Sequence, residues 1–310
     1  MSDAKCNLIV DSCCDLPYQL IEKPNVSLIQ FPYFFGYEET LDDLFKTVEP
    51  HDFYERMRNG AQPTTAGATY AMLKDRFEEA IESGLPSVYL SFSSGLSGHY
   101  EQVIRVHDQV MSEHPGAELY IVDTHLASTG EALLIFEALR LQEQGMSAKE
   151  LAEWAKEAQY FVNVYFMVDD LESLRRGGRI PSSVAFAGSK LDVKPLLLIA
   201  IDGTLSIKGI ARGRKKGIKQ LADLYVDRFD ASMGAGYVAV GNADALKDMK
   251  RLEDEIAKAS ATSPLFIEGS IGPVIGSHVG PGMVSIAFWG PDKRAEVSVA
   301  DRIARKVKGE

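Results

Sequence analysis

The sequence predicts an α/β protein of two domains: an N-terminal doubly wound parallel sheet and a C-terminal mixed or antiparallel sheet with helices. Three observations carry this. Through the first half, short apolar runs of strand length alternate with helical patterns in βαβαβα order, the pattern of a parallel sheet covered on both faces. Beyond residue 160 the alternation gives way to a hairpin-like pair of strands around Asp202-Gly203. The chain, at 310 residues, is also longer than a typical single domain. The boundary is placed near residue 160, giving domains 1–160 and 161–310.

The elements come in this order. Residues 6–10 form an apolar run ending at Asp11-Ser12, a buried first strand, and 26–35 are a second extended apolar stretch. At 51–59 the spacing turns helical, with Phe53 and Met57 four apart on one face. Gly60 to Pro63 turns the chain, and the helical pattern of 68–83 stops at Gly84-Leu85-Pro86. A strand at 88–92 leads to a helix at 97–113, ended by His114-Pro115-Gly116. A strand at 119–122 precedes a helix at 131–144 closed by Gly145. Ser147 and Glu150 form a capping box for a helix that runs to residue 158. In the second half a strand at 161–168 is followed by a short helix at 171–176 that breaks at Gly177-Gly178. Residues 194–201 and 204–210 read as a hairpin with a two-residue Asp-Gly turn. A long amphipathic helix covers 213–229, strands at 237–240 and 264–269 flank a helix at 245–258, and a last strand spans 283–289. The last ten residues are charged and read as a helix end or a frayed tail.

Composition excludes several classes. Hydrophobic residues make up 45% and charged residues 25%, an ordinary globular balance. A net charge of −11 argues against a general nucleic-acid binder, which needs a surplus of Lys and Arg. The strongly apolar runs 195–201 and 161–168 are far shorter than the roughly 20 residues of a spanning helix, so no stable membrane insertion is expected. The first residues, Met-Ser-Asp-Ala-Lys-Cys, contain no apolar signal core, and a cytoplasmic monomer is the expectation. Cys6, Cys13 and Cys14 have neither the number of a disulfide framework nor zinc spacing. No metal is expected. With no Gly-x-x-x-x-Gly-Lys loop ATP is not expected, and no cofactor is expected beside a bound ligand.

Polar, Gly-rich or Ser-rich loops follow the strands at 11–15, 93–98 and 123–130, where open α/β sheets bind ligands. In Ser93-Ser94-Gly95-Leu96-Ser97-Gly98, Ser97 can cap the next helix and backbone N–H groups can hold an anion. A hydrolase built on Ser94 or Ser97 lacks the final glycine of Gly-x-Ser-x-Gly and has no assigned triad partners. Thr64, Thr65 and Thr69 offer hydroxyls after the Pro63 turn, either as helix caps or toward a ligand. In Arg175-Arg176-Gly177-Gly178-Arg179-Ile180, paired glycines end a helix and bring backbone close to a neighbour. Arg179 is suited to gripping a carboxylate or phosphate, or is a solvated helix-end charge. Residues 271–282 surround the single His278 with four glycines and two prolines in an apolar setting, and that imidazole can hydrogen-bond a carboxylate. Lys208, Arg212, Arg214, Lys215, Lys216 and Lys219 form a basic cluster, either a solvated face or a docking patch for an acidic partner.

Taken together these segments resemble the DegV family of bacterial fatty-acid-binding proteins over essentially the whole chain. Asp11-Ser12 with Asp15-Leu16-Pro17, Ser93–Gly98, Asp123-Thr124, Arg176–Ile180 and Ile271–Gly282 match that family's elements in order. The last is similar to its Ile-Gly-Pro-x-Ile-Gly-x-His-x-Gly-Pro-Gly signature. The resemblance implies a long-chain fatty acid buried between two domains and presented to a separate ATP-dependent kinase subunit that makes acyl phosphate. It implies that Thr65 and Ser94 hold the carboxylate with His278 nearby, and that Gly95 and Gly280 belong to the ligand-binding set. Arg179, Arg212 and Arg214 would support the site or the kinase contact. Where the family reads Thr-Ser-Gln-Pro-Ser, this chain has Thr64-Thr65-Ala66-Gly67-Ala68, keeping a hydroxyl at Thr65. Two other readings stand beside this one: a stand-alone enzyme using Ser94 or His278, and an interaction protein acting through the 208–219 cluster.

Overall fold

The computed structural model describes residues 4–181, 183, 192–230, 232, 236–260 and 264–296. The first half supplies β1 (Asn7–Asp11), α1 (Tyr18–Ile21), β2 (Val26–Ile29), β3 (Pro32–Phe35), β4 (Glu38–Leu41), α2 (Pro50–Arg58) and β5 (Thr64–Thr65). It continues with α3 (Tyr70–Glu82), β6 (Ser87–Ser91), α4 (His99–Glu113), β7 (Leu119–Asp123), α5 (Thr129–Glu143) and α6 (Ala148–Ala158). β1 and β6 are buried at every position, as strands covered on both sides must be. They form the centre of a four-stranded, all-parallel sheet in the order β2-β1-β6-β7. Helices flank it as two packed pairs, α3 with α4 and α5 with α6. The Ser147–Glu150 capping box opens α6 as expected.

The second half supplies β8 (Val162–Met167), α7 (Glu172–Arg176), β9 (Val193–Ile199), β10 (Leu205–Arg212), α8 (Arg214–Arg228) and β11 (Tyr237–Asn242). Then come α9 (Leu246–Ala259), β12 (Leu265–Ser270), α10 (Pro273–Val279) and β13 (Val284–Trp289). The six-stranded sheet runs β10-β9-β8-β13-β11-β12, antiparallel throughout except for the parallel pair β11/β12. Its pleat splits the core in two. Val162, Val164 and Phe166 of β8 join the large core of the first half, whereas Tyr165 and Met167 face a second core with α8 and α9. α5 lies between the two sheets, touching β1 on one side and β8, β11 and β13 on the other. That is why eleven of its residues are buried. Gly130 allows the close fit, because a Cβ there would collide with Val164 Cγ2.

Several expectations change. The extended stretch 26–35 divides into β2 and β3, which join different sheets; β3 pairs with β4 and β5 in a small antiparallel sheet. The chain turns at Phe31, whose N–H donates to Ser12 Oγ (3.0 Å). The β9–β10 connection is not a two-residue turn. Ala200 N–H bonds Thr204 O (2.8 Å) and Gly203 N–H bonds Ala200 O (3.0 Å), which leaves a three-residue loop with left-handed Gly203 (φ +75°). The Gly/Pro-rich stretch 271–282 contains the helix α10, since Pro273 suits a first helical turn. The charged last ten residues lie outside the described residues.

Candidate functional site

A cavity of about 220 Å³ lies where these layers meet. Its apolar walls come from both halves: Phe31 and Phe92, Val164 and Phe166 of β8, Ile199 and Leu205 beside the β9–β10 loop, and Val274, Ile275 and Val279 of α10. The polar groups on the wall are Thr65, Ser97, Ser128, Thr129, Arg179 and His278.

β3 places Thr65 by pairing Tyr33 with it. α10 places His278 opposite, with Nε2 2.8 Å from Thr65 Oγ1. Burial, helped by the charges of Arg179 and Arg176, lowers the His278 pKa to about 4, so the imidazole is neutral at pH 7. Its Nδ1 is buried with no hydrogen-bond partner among the described residues. Gly177 leaves room for the ring, because a Cβ there would overlap Nδ1; this is the close approach that Gly177-Gly178 was expected to serve.

Arg179 lies just beyond these glycines. Its Nε donates to Leu96 O (3.1 Å) and its Nη1 to Gly177 O, which fixes the half-buried guanidinium at the wall. Burial lowers its pKa. Among the described residues no carboxylate lies within 4 Å of it, so its charge is not neutralised by a salt bridge.

Ser94 does not reach the cavity. It is exposed, and its N–H is tied to Asp123 Oδ1 (3.2 Å). Ser97 lines the wall in its place, and its hydroxyl accepts the His99 N–H (3.2 Å). Gly95 lies off the cavity wall and packs against the β9–β10 loop. A Cβ on it would sit 2.5 Å from Asp202 O, so the 93–98 loop locks onto the β9–β10 loop, and Ser93 Oγ donates to Gly203 O (3.0 Å). Gly280 ends α10 with φ +76° and lies beside Ser173, off the wall. Arg212 is exposed at the end of β10. Arg214 is not free for a partner: it bonds Asp248 (2.6 Å), Asp169 (2.7 Å) and Gly282 O (2.7 Å), bracing the start of α8. Neither Ser94 nor Ser97 meets an imidazole side chain among the described residues, because His278 Nε2 is on Thr65 and His99 Nε2 faces the Tyr89 hydroxyl.

Sequence reasoning pointed to the 123–130 loop without singling out Ser128 and Thr129. Ser128 adopts φ +53° and ψ −131° and donates to Asp15 Oδ2 (2.5 Å), while Thr129 Oγ1 pairs with Ser285 Oγ (2.9 Å). Cys6, Cys13 and Cys14 are free and buried; burial raises Cys6 to about 11 and the other two well above the usual thiol range. In two acidic clusters a cation already bridges the acids, Arg58 between Glu55 and Asp244 and Lys74 between Glu78 and Glu113. Among the described residues no helix is long and apolar enough to cross a membrane.

A family model described as "Uncharacterised protein, DegV family" matches residues 5–290. A DegV domain-containing protein of Clostridium perfringens is 31% identical over 286 residues, 92% of this chain and 98% of that protein. The structure resembles a Thermotoga maritima protein whose structure is described as revealing a fatty acid binding function (TM-score 0.78, 26% identity, 93% of this chain and 100% of that one). It also resembles a stearic acid-binding protein of Eubacterium ventriosum (TM-score 0.80, 25% identity, 94% of this chain and 99% of that one). A third match is a fatty-acid-binding DegV family protein of Thermus thermophilus (TM-score 0.79, 26% identity, 93% and 100%).

Proposed function

The chain belongs to the DegV family, and from that premise we propose that it binds a long-chain fatty acid, with the acyl chain in the cavity and the carboxylate beside Thr65, His278 and Arg179. The observation that carries this reading is the pairing of an apolar cavity with one half-buried guanidinium that no carboxylate among the described residues neutralises. Each buried methylene contributes about 0.8 kcal/mol, so chain burial is the main driving term. Desolvating the carboxylate opposes it, and charge-assisted hydrogen bonds from a fixed guanidinium and a hydroxyl offset that cost. The reading takes residues 1–160 and 161–310 as two domains, with the ligand between them.

The same proposal extends to the step after binding. The protein holds the acid and presents its carboxylate to a separate ATP-dependent kinase subunit, without chemistry of its own. Arg212, exposed like Lys208, Lys215, Lys216 and Lys219 of the same cluster and unlike the internally bonded Arg214, is the residue we take to meet such a partner.

Titration of lipid-free protein with oleate and with methyl oleate tests the first part. The reading expects oleate to bind about tenfold or more tighter, since the ester cannot neutralise Arg179; equal affinities contradict it. For the second part, Arg212→Glu should leave oleate binding intact and lower acyl phosphate formation by the kinase subunit. Unchanged formation rules out docking through Arg212.

A further inference from the structure

α10 is clamped at both ends to the small sheet β4-β3-β5. At its C-terminal end His278 bonds Thr65 of β5 (2.8 Å). At its start, Val274 N–H donates to Oδ2 of Asp42 (3.2 Å), the residue just after β4, whose Oδ1 accepts the Leu44 N–H (3.0 Å). A second carboxylate from the first half joins it: Asp15 Oδ1 accepts the Gly272 N–H (2.8 Å) and its Oδ2 accepts the Ser128 hydroxyl (2.5 Å). Both acids are buried, Asp15 4% and Asp42 1% exposed. Gly272 has no side chain because the two carboxylates fill that space; a Cβ would lie 2.8 Å from Asp15 Oδ1 and 3.0 Å from Asp42 Oδ2. The segment after Asp42 is bent to suit, with Leu44 and Phe45 left-handed (φ +61° and +59°) and Phe45 packed on Phe53 and Tyr54. The Tyr54 hydroxyl in turn donates to Ile271 O (2.6 Å).

We infer that Asp42, with Asp15, is a positioning residue for the ligand site: the two carboxylates fix where α10 enters, and so set the register of His278 against Thr65 and of Val274 and Ile275 against the cavity. This rests on the fatty-acid reading only for its ligand readout. The two acids differ in a way that gives a sharp test. Asp42 accepts an N–H on each oxygen, so Asn at 42 must turn its own NH₂ toward a backbone donor. Asp15 accepts one N–H and one hydroxyl, and a hydroxyl can reverse to accept from an Asn NH₂. Both variants replace one carboxyl oxygen by an NH₂, whereas the hydrogen-bond conflict arises only at 42.

The experiment compares wild type, Asp42→Asn and Asp15→Asn by side-chain ¹⁵N NMR of His278 without ligand and by oleate titration. The expected result is a shifted His278 Nε2 signal and about tenfold weaker oleate binding for Asp42→Asn, with Asp15→Asn within about threefold of wild type and an unshifted signal. A wild-type signal and affinity in Asp42→Asn, or equal losses in the two variants, overturns the inference. Should Asp42→Asn not fold, Gly272→Ala pushes on both carboxylates and must give the same His278 shift; a wild-type signal there overturns it as well. If wild type binds no oleate, the fatty-acid reading fails, and the His278 signal decides the positioning role alone.

Discussion

Arg179 is held half-buried by two carbonyls and faces no carboxylate among the described residues, so on the proposed function a fatty acid's carboxylate gains most there. Arg179→Gln keeps hydrogen-bonding capacity but loses charge, and fatty-acid affinity should fall about 10- to 100-fold. Calorimetric titration reads this, with Ser94→Ala as the control expected to bind as wild type because Ser94 is exposed. Burial likewise keeps His278 neutral. Its imidazole signals should stay in the neutral form from pH 8 down to about 5 and titrate near pH 4; a midpoint above 6 would mean that the ring is solvated. Thr65, Arg179 and His278, each singled out from a motif with a local signature, all line the cavity. Ser97 was legible as a cap, and the structure adds its place on the cavity wall. Ser94 lies exposed and off the cavity wall, since a run of Ser and Gly does not say which hydroxyl turns inward. Only the bond from Ser94 N–H to Asp123 and the lock of Gly95 on the 200–204 loop decide it.

At the level of elements, regular patterns were readable and short or crossing ones were not. The buried runs of β1 and β6 and the capped helix α6 announce themselves by composition and by caps. The break between β2 and β3 depends on Phe31 meeting Ser12, a tertiary hydrogen bond with no local signal. The helix α10 hides in a glycine-rich stretch; Gly276 fits inside it because a Cβ would press on Tyr54. α8 carries the clearest prediction at this scale. Arg214 ties it to Asp169, Asp248 and Gly282, so Arg214→Gln should lower stability by about 1–3 kcal/mol, whereas Arg212→Gln should change it by less than about 0.5 kcal/mol. Urea denaturation separates the two; equal effects would contradict the bracing role.

Across the whole molecule, two sheets share α5 and leave a cavity between them. The layering was legible from the order of runs. The cavity walls were not, because Phe31, Phe92, Val164, Ile199 and Val279 come together only in the fold. The buried ionisable groups make stability depend on pH in two opposed ways. Burial raises Asp11 to about 6 and Asp42 to about 7, so their contribution is full below about pH 4 and is lost as pH rises toward 7. His278, lowered to about 4, acts the other way: the unfolded chain takes up its proton first, and stability is lost as pH falls from 6.5 to 4. The stability of His278→Gln relative to wild type should therefore improve steadily over that fall, read as urea midpoints; a difference independent of pH would contradict it. The most direct test of the central claim is mass spectrometry of the organic extract of purified, denatured protein. The account predicts a long-chain fatty acid near one equivalent per chain, retained in Ser94→Ala and depleted in Arg179→Gln. An extract that stays empty after incubation with mixed fatty acids would contradict it.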